Sequence, residues 1–158
     1  MSEIDAKQAE AVDGIIARHA GLSGPLLPIL HAVQEEFGYV PADAVPRIAE
    51  ALHLSRAEVH GVISFYHVFR RHAPGKHVVQ VCRAEACQAM NCELTEAHAR
   101  QKLSTDYHGT SPDGQFTLEA VYCLGNCAAA PSVMVDDKLY GRVTPERLDR
   151  ILADWSKR

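Results

Sequence analysis

The 158-residue sequence has no apolar run approaching the roughly 20 residues that a membrane-crossing helix needs. It also has little charge of either sign to spare. Sixteen Lys and Arg against twenty Asp and Glu leave a net charge of -4, with a sequence pI near 6.1. That excludes the basic footprint of a nucleic-acid binder. The opening segment MSEIDAKQAEAVDGI is acidic and amphipathic. It lacks the apolar stretch of a secretory signal and the Arg/Ser bias of a transit peptide. The expectation is a cytoplasmic protein with neither membrane nor nucleic acid as partner. No Ser-His-Asp set, phosphate loop or paired-carboxylate motif stands out, so nothing points to catalysis by this chain alone. Internal repeats and low-complexity segments are missing too. What remains is an ordinary globular composition, 47% hydrophobic and 23% charged, long enough for one large domain or two small ones.

The first half predicts helices. Ile4 to His19 carries apolar residues at Ile4, Ala11, Val12, Ile15 and Ile16, a helical spacing. Gly21 and Ser23-Gly24 break it. Pro25 suits the first turn of the next helix, where its missing N–H costs nothing. Leu26, Leu27, Leu30, Val33 and Phe37 form that helix's inner face, and Gly38 supplies a left-handed cap. A third helix near Pro41 turns Val45, Ile48, Ala49 and Leu52 inward. Ser55 with Glu58 fits a capping box. It opens a fourth helix with Val59, Val62, Ile63 and Phe65 as core.

Arg70 to Lys76, RRHAPGK, is a polar Pro-Gly segment and marks a boundary. It divides the chain into 1–73 and 74–158. Beyond it the pattern changes. His77–Val81 reads as a strand, followed by a helix through Leu94, Ala97, Ala99 and Leu103. Ser111-Pro112-Asp113-Gly114 is a turn, and 116–122 a second strand. Ser132–Val135 and Leu139–Val143 flank Asp136-Asp137-Lys138 as a hairpin. Thr144-Pro145-Glu146 caps a last helix with Leu148, Ile151, Leu152 and Trp155 on one face. The order β-α-β-β-α is that of a thioredoxin-like domain.

Each strand before the hairpin runs into a cysteine pair. Cys82 and Cys87 form C-x4-C; Cys123 and Cys127 form C-x3-C. Five cysteines in a reducing compartment argue for metal or redox use over a disulfide framework. Four thiolates at one point suit zinc, whose ligand spacings of about two to four residues include both pairs. They also suit a [2Fe–2S] cluster, which is wider because each iron takes its own pair. Ala84, Ala86, Gly125, Ala128, Ala129 and Ala130 are small enough to let loops close around such a cluster, and Pro131 stiffens the exit. The C-x4-C-x2-C run of plant ferredoxins and the C-x-x-C of thiol oxidoreductases are both absent. Spacing alone leaves iron–sulfur and zinc open. Cys92 repeats the C-x4-C step from Cys87. It falls where the next helix begins and reads as a buried free thiol.

These residues resemble a known family. C-x4-C followed by C-L-G-N-C is similar to the thioredoxin-like [2Fe–2S] subunit of NADH dehydrogenases, the 24 kDa subunit of respiratory complex I. The resemblance extends to Gly38-Tyr39-Val40-Pro41, to Val59 with Gly61-Val62-Ile63-Ser64-Phe65-Tyr66, and to Pro74-Gly75-Lys76-His77-Val78. It includes Gly114-Gln115-Phe116-Thr117-Leu118, Ala130-Pro131 and Val135-Asp136, so it runs from about Pro25 onward. Within the family, CRAEACQAM and the short soluble form look most like the gamma subunit of cytosolic NAD-dependent molybdenum formate dehydrogenases. The resemblance implies an α+β chain, with an N-terminal helical bundle followed by a thioredoxin-like [2Fe–2S] ferredoxin domain. It implies Cys82 and Cys87 on one iron and Cys123 and Cys127 on the other. It also implies an electron-transfer role inside an oxidoreductase complex, beside a flavin- and NAD-binding beta subunit in direct contact. A molybdenum-bearing alpha subunit belongs to the same complex. FMN, NAD, the molybdenum cofactor and further iron–sulfur clusters would sit on those partners. The alternatives are the equivalent subunit of complex I or of an NAD-linked hydrogenase and, from a different class, a zinc-stabilised interaction module.

Other residues invite weaker readings. His53, His60 and His67 recur every seven residues and could share one long helix, but Leu54-Ser55 interrupts it, which favours surface or partner-facing positions. The run FYHVF, Phe65 to Phe69, reads equally as a docking patch or as packing at the domain junction. Arg70, Arg71 and Arg83 read as basic surface or as charges near the cluster.

Overall fold

Apolar residues three and four apart build the first part of the chain. A computed structural model describes residues 6–157; the expected helix start at Ile4 lies outside the described residues. The chain divides into two compact units, Met1–Ala73 and Pro74–Arg158.

In the first unit four helices share one core: α1 (Ala6–His19), α2 (Leu26–Phe37), α3 (Ala44–Ala51) and α4 (Arg56–Phe65). Val12, Ile15, Ile29, Leu30, Val33, Val45, Ile48 and Val59 are buried together. Gly38 ends α2 at φ 79°, and its N–H donates to the Gln34 carbonyl, a conformation glycine reaches without Cβ strain. The Ser55–Glu58 capping box opens α4, with each side chain bonded to the other's backbone N–H. After α4 the chain is tied back to α2. The Gln34 amide donates to the Val68 carbonyl and accepts the Arg70 N–H, both at 2.7 Å. Phe69 is buried, with its ring 4.9 Å from that of His31.

One expectation fails in this unit, the placing of Phe65 in the core. Phe65 is 73% exposed. It lies two residues past Ile63, and about 100° per residue carries it to the opposite side of the helix. No single helix carries the three histidines: His53 follows α3 at φ 54°, His60 is within α4, and His67 is beyond its end. All three are exposed.

The second unit is a five-stranded sheet. Its strands are β1 (His77–Cys82), β2 (Gly109–Thr110), β3 (Phe116–Val121), β4 (Val133–Val135) and β5 (Lys138–Tyr140), in the order β2-β3-β1-β4-β5. β1 and β3 run parallel, in register from His77↔Phe116 to Cys82↔Val121. A parallel pair needs a crossover, supplied by α5 (Glu85–Ala89) and α6 (Cys92–Leu103). α7 (Pro145–Trp155) starts at the Thr144 cap, whose hydroxyl accepts the Arg147 N–H. Val79, Val81, Leu118, Val133 and Val135 pack with Ala99 and Leu103 of α6 and with Leu148, Ile151, Leu152 and Trp155 of α7. The β4–β5 turn is pinned to the start of β1: Asp136 Oδ1 accepts the Val78 N–H, and Oδ2 lies 2.8 Å from His77 Nδ1.

The differences from expectation are local. β2 and the short α5 carry too few residues to show a period. The inner face of α6 is Cys92, Thr95, Ala99 and Leu103, while Leu94 and Ala97 are exposed. Thr95 turns inward because its hydroxyl donates to the Val143 carbonyl at 2.8 Å. Lys138 belongs to β5, and that strand ends at Tyr140, three residues short of Val143.

Candidate metal centre

Because β1 and β3 are parallel and in register, their carboxyl ends leave the sheet side by side. Cys82 is the last residue of β1, paired with Val121, the last of β3. Ligand sites form at such strand ends, where loops and helix starts converge. The first pair lies inside. Cys82 and Cys87 are each 2% exposed and share a small apolar cluster with Cys92 and Ala130, bordered by Ala84, Val121 and Leu124. The second pair lies outside: Cys123 and Cys127 are both exposed, Cys127 opening a 3₁₀ turn over Cys127–Ala129.

The second pair is close to chelating geometry. Its sulfurs are 3.8 Å apart. A tetrahedral metal with sulfur bonds of about 2.3 Å holds two ligand sulfurs about 3.8 Å apart. The Gly125 N–H donates to the Cys123 sulfur at 3.3 Å, the kind of bond that stabilises a metal-bound thiolate. Cys123 itself sits at φ 149°. A side chain with a Cβ avoids that backbone region, at a cost of about 1–3 kcal/mol, and such strain gathers at functional positions.

The loop that carries this pair is held from below. The Arg142 and Val143 N–H groups donate to the Ala129 and Pro131 carbonyls at 2.6 and 2.9 Å. Gly141 lies so near that a Cβ there would come within 2.7 Å of Asn126 Nδ2 and 2.8 Å of the Ala129 carbonyl oxygen.

The thiols also sense one another. Burial pushes Cys87 up to about 11, with the neighbouring Cys82 and Cys92 adding to the rise and the Ser132 amide opposing it. The Cys127 thiol is raised chiefly by its hydrogen bond with Cys123, and Cys82 contributes across the two pairs. Thiols that suppress each other's ionisation are relieved by a cation, which takes them as thiolates and releases their protons. The donor set therefore fits a thiolate-ligated metal centre. Among the described residues, no three His, Cys, Asp or Glu side chains stand in ready-made metal geometry. The structure brings together each pair separately, the inner one in the buried cluster and the outer one with its sulfurs at 3.8 Å.

Cys92 is the first residue of α6 and is 1% exposed; burial is the main cause of its raised thiol pKa. Arg83 follows Cys82 directly. It pairs with Glu96 at 2.8 Å, lies over the Tyr107 ring and lowers the Cys92 thiol. Arg70 and Arg71 belong to the first unit. Ser132, Asn126 and Gly141 support the site without having been singled out in the sequence. Asn126 stands inside C-L-G-N-C, but nothing local marks the bonds these residues make, which exist only across the folded loops.

The sequence matches the thioredoxin-like [2Fe-2S] ferredoxin family over residues 12–156. It is 36% identical over 132 residues to the NADP-reducing hydrogenase subunit HndA of Solidesulfovibrio fructosivorans, covering 84% of this chain and 77% of that one. It is 37% identical over 123 residues to an NADH-quinone oxidoreductase subunit of Pseudomonas aeruginosa, covering 78% and 74%. The subunit of the same name in Escherichia coli is 31% identical over 150 residues, covering 95% and 90%. Among solved structures, an NAD+-reducing [NiFe]-hydrogenase in the air-oxidised state aligns with a TM-score of 0.66 over 81% of this chain. At 17% identity that likeness is one of fold, and this chain spans 22% of that one.

Proposed function

The chain belongs to the thioredoxin-like [2Fe–2S] ferredoxin family, and from that premise we propose that it is the electron-transfer subunit of an NAD-linked formate dehydrogenase complex. The family resolves the choice that cysteine spacing leaves open, in favour of [2Fe–2S] over zinc. Cys82 and Cys87 hold one iron, and Cys123 and Cys127 the other. The observation that carries this assignment is the convergence of two cysteine segments at the shared end of β1 and β3, with the outer sulfurs at 3.8 Å. A bound [2Fe–2S] cluster supplies a one-electron valence change.

The chain's own residues hold and tune that centre. The apolar cluster around Cys82 and Cys87 keeps water from one side. The Gly125 amide at the Cys123 sulfur favours negative charge there. The exposed Cys123 and Cys127, next to the exposed Tyr122, leave the other side open to a partner.

That partner is a flavin- and NAD-binding subunit. Two of the relatives are subunits named for NADP and NADH chemistry, which supports a nicotinamide-linked complex. Formate as substrate, with a molybdenum-bearing subunit in the same complex, rests on the likeness of CRAEACQAM to that group. A hydrogenase or complex I parent has the named relatives in its favour. Among the described residues no helix is long and apolar enough to cross a membrane.

Two measurements test the proposal. Iron and acid-labile sulfide analysis with low-temperature EPR on anaerobically purified chain is expected to give two of each per chain, with a spin-half signal only after dithionite. One zinc and no signal would overturn the electron-transfer role. Mass spectrometry of chains co-purified from the native host is expected to find a flavoprotein and a molybdenum enzyme. A hydrogenase large subunit in their place would move the parent complex and leave the role intact.

A further inference from the structure

Ser132 stands between the two cysteine segments and is bonded to each. Its carbonyl accepts the Cys82 backbone N–H at 3.1 Å. Its side chain faces the second cysteine loop: Oγ accepts from Asn126 Nδ2 at 3.1 Å and donates to the Asn126 carbonyl at 3.4 Å. Asn126 immediately precedes Cys127, and its carbonyl also accepts the Ala129 N–H at 3.0 Å, closing the 3₁₀ turn. Ser132 is 1% exposed, so no water replaces these bonds if they are lost. Gly141, with no Cβ, leaves the room that the Asn126 amide occupies.

We propose that Ser132 and Asn126 form a polar bracket that fixes the two cysteine pairs relative to each other, and thereby sets the reduction potential and the retention of the cluster they hold. This rests on the electron-transfer reading above. Both are positioning residues. The Ser132 hydroxyl anchors Asn126, which lies next to Gly125, whose N–H meets the Cys123 sulfur at 3.3 Å, and the Asn126 side chain holds the turn that presents Cys127. Hydrogen bonds to cluster sulfurs favour the reduced, more negative form. Releasing the bracket therefore shifts the potential to more negative values and loosens the outer pair.

The test uses the full-length chain purified anaerobically with its cluster, as wild type, Ser132→Ala, Asn126→Ala and the double variant. EPR-monitored redox titration, iron transfer to a chelator and thermal unfolding are measured on each. Each single variant is expected to show a more negative potential and about fivefold faster iron release, the factor that one hydrogen bond's net worth corresponds to. The double variant shifts no further than the larger single, because the two residues act as one unit. A native potential and native EPR spectrum with only a lower Tm would reduce the bracket to packing. Additive shifts would make the two residues independent and overturn it equally. If Ser132→Ala does not fold, Asn126→Ala, at a half-exposed position, carries the same test. A wild-type chain without iron and sulfide overturns the electron-transfer reading and the bracket with it; a loaded wild type with unmoved variants overturns the bracket alone.

Discussion

Among the described residues, seven non-glycine positions have positive φ: His53 in the helical unit, and Asn91, Ser104, His108, Cys123, Asp136 and Arg142 in the sheet unit. The helical unit reaches its fold by patterning. Its side chains fall on the right faces and its backbone stays almost wholly relaxed. The sheet unit bends its backbone and holds the bends with hydrogen bonds. Asn91, Ser104, His108, Asp136 and Arg142 each donate their own N–H to a carbonyl, and at Cys123 the sulfur accepts the Gly125 N–H. Left-handed positions cost about 1–3 kcal/mol where a Cβ is present and persist only when the surroundings over-determine them. The contrast separates a region that needs stability from one that must place specific atoms.

The sharpest way to break that contrast is at the cysteines. Cys123→Ser or Cys127→Ser is expected to abolish the reduced EPR signal, while Cys92→Ser keeps it. A native spectrum from either of the first two, or its loss in the third, would sink the ligand assignment. Next in size is a core deletion in the helical unit. Ile48 is fully buried, and Ile48→Ala should cost about 2–5 kcal/mol in denaturant unfolding. The g-values of the cluster should not move, and a changed spectrum would show that the helical unit also shapes the site. Gly141→Ala tests the sheet unit from beneath its second cysteine loop. Its Cβ meets the Asn126 side chain and Ala129 at 2.7–2.8 Å, so about 1–3 kcal/mol of overpacking is expected. Unlike Ile48→Ala, it should speed iron loss, and unaltered iron retention would count against Gly141 as a support. Ser55→Ala removes the α4 cap at about 1 kcal/mol, and its Tm should fall with no change in potential.

The same contrast explains what could be read in advance. In the helical unit, residues such as Val45, Ile48 and Ala49 announce a face by spacing alone, so the helices were legible. Phe65 was not, because a strongly apolar residue beside a stripe looks like part of it. In the sheet unit, α6 hides its inner face: Cys92, Thr95, Ala99 and Leu103 keep a helical spacing, but three of them are weakly apolar, and Leu94 draws the eye instead. β2 has two residues and no period. The thioredoxin-like order of elements was legible from strands and turns, and the fold match agrees with it. The cysteine segments stood out by type and spacing. Their unequal burial did not, since it follows from α5 folding inward and the second loop staying outside. The left-handed Cys123 and the Ser132–Asn126 bonds have no local signature either. They arise from contacts between segments that only the folded sheet brings together.

Acid offers the finest discrimination between the two units. Carboxylates held below their ordinary range by hydrogen bonds are Glu58 in the helical unit, bonded by Ser55, and Asp106, Asp113, Glu146 and Asp149 in the sheet unit. The first cause at Asp106 is the Tyr107 amide; at Asp113 it is Ser111, at Glu146 Thr144 and at Asp149 His98. A carboxylate whose folded pKa is depressed binds fewer protons when folded than when unfolded. Its contribution is therefore complete above the unfolded value of about 4 and is lost as pH falls through the folded one. With four such groups against one, the sheet unit should lose stability first on acidification below about pH 4. Glu58, Asp106, Asp113 and Glu146 are exposed and Asp149 is half-buried, so each effect is small and salt reduces it. Trp155, the chain's one tryptophan, lies in α7, so its fluorescence follows the sheet unit, while circular dichroism at 222 nm is weighted toward the helices. The tryptophan transition is expected at the higher pH, and Asp149→Asn should move it slightly higher still, because the stabilisation that the ionised carboxylate draws from His98 is gone. Coincident transitions would mean that the two units answer to protons as one.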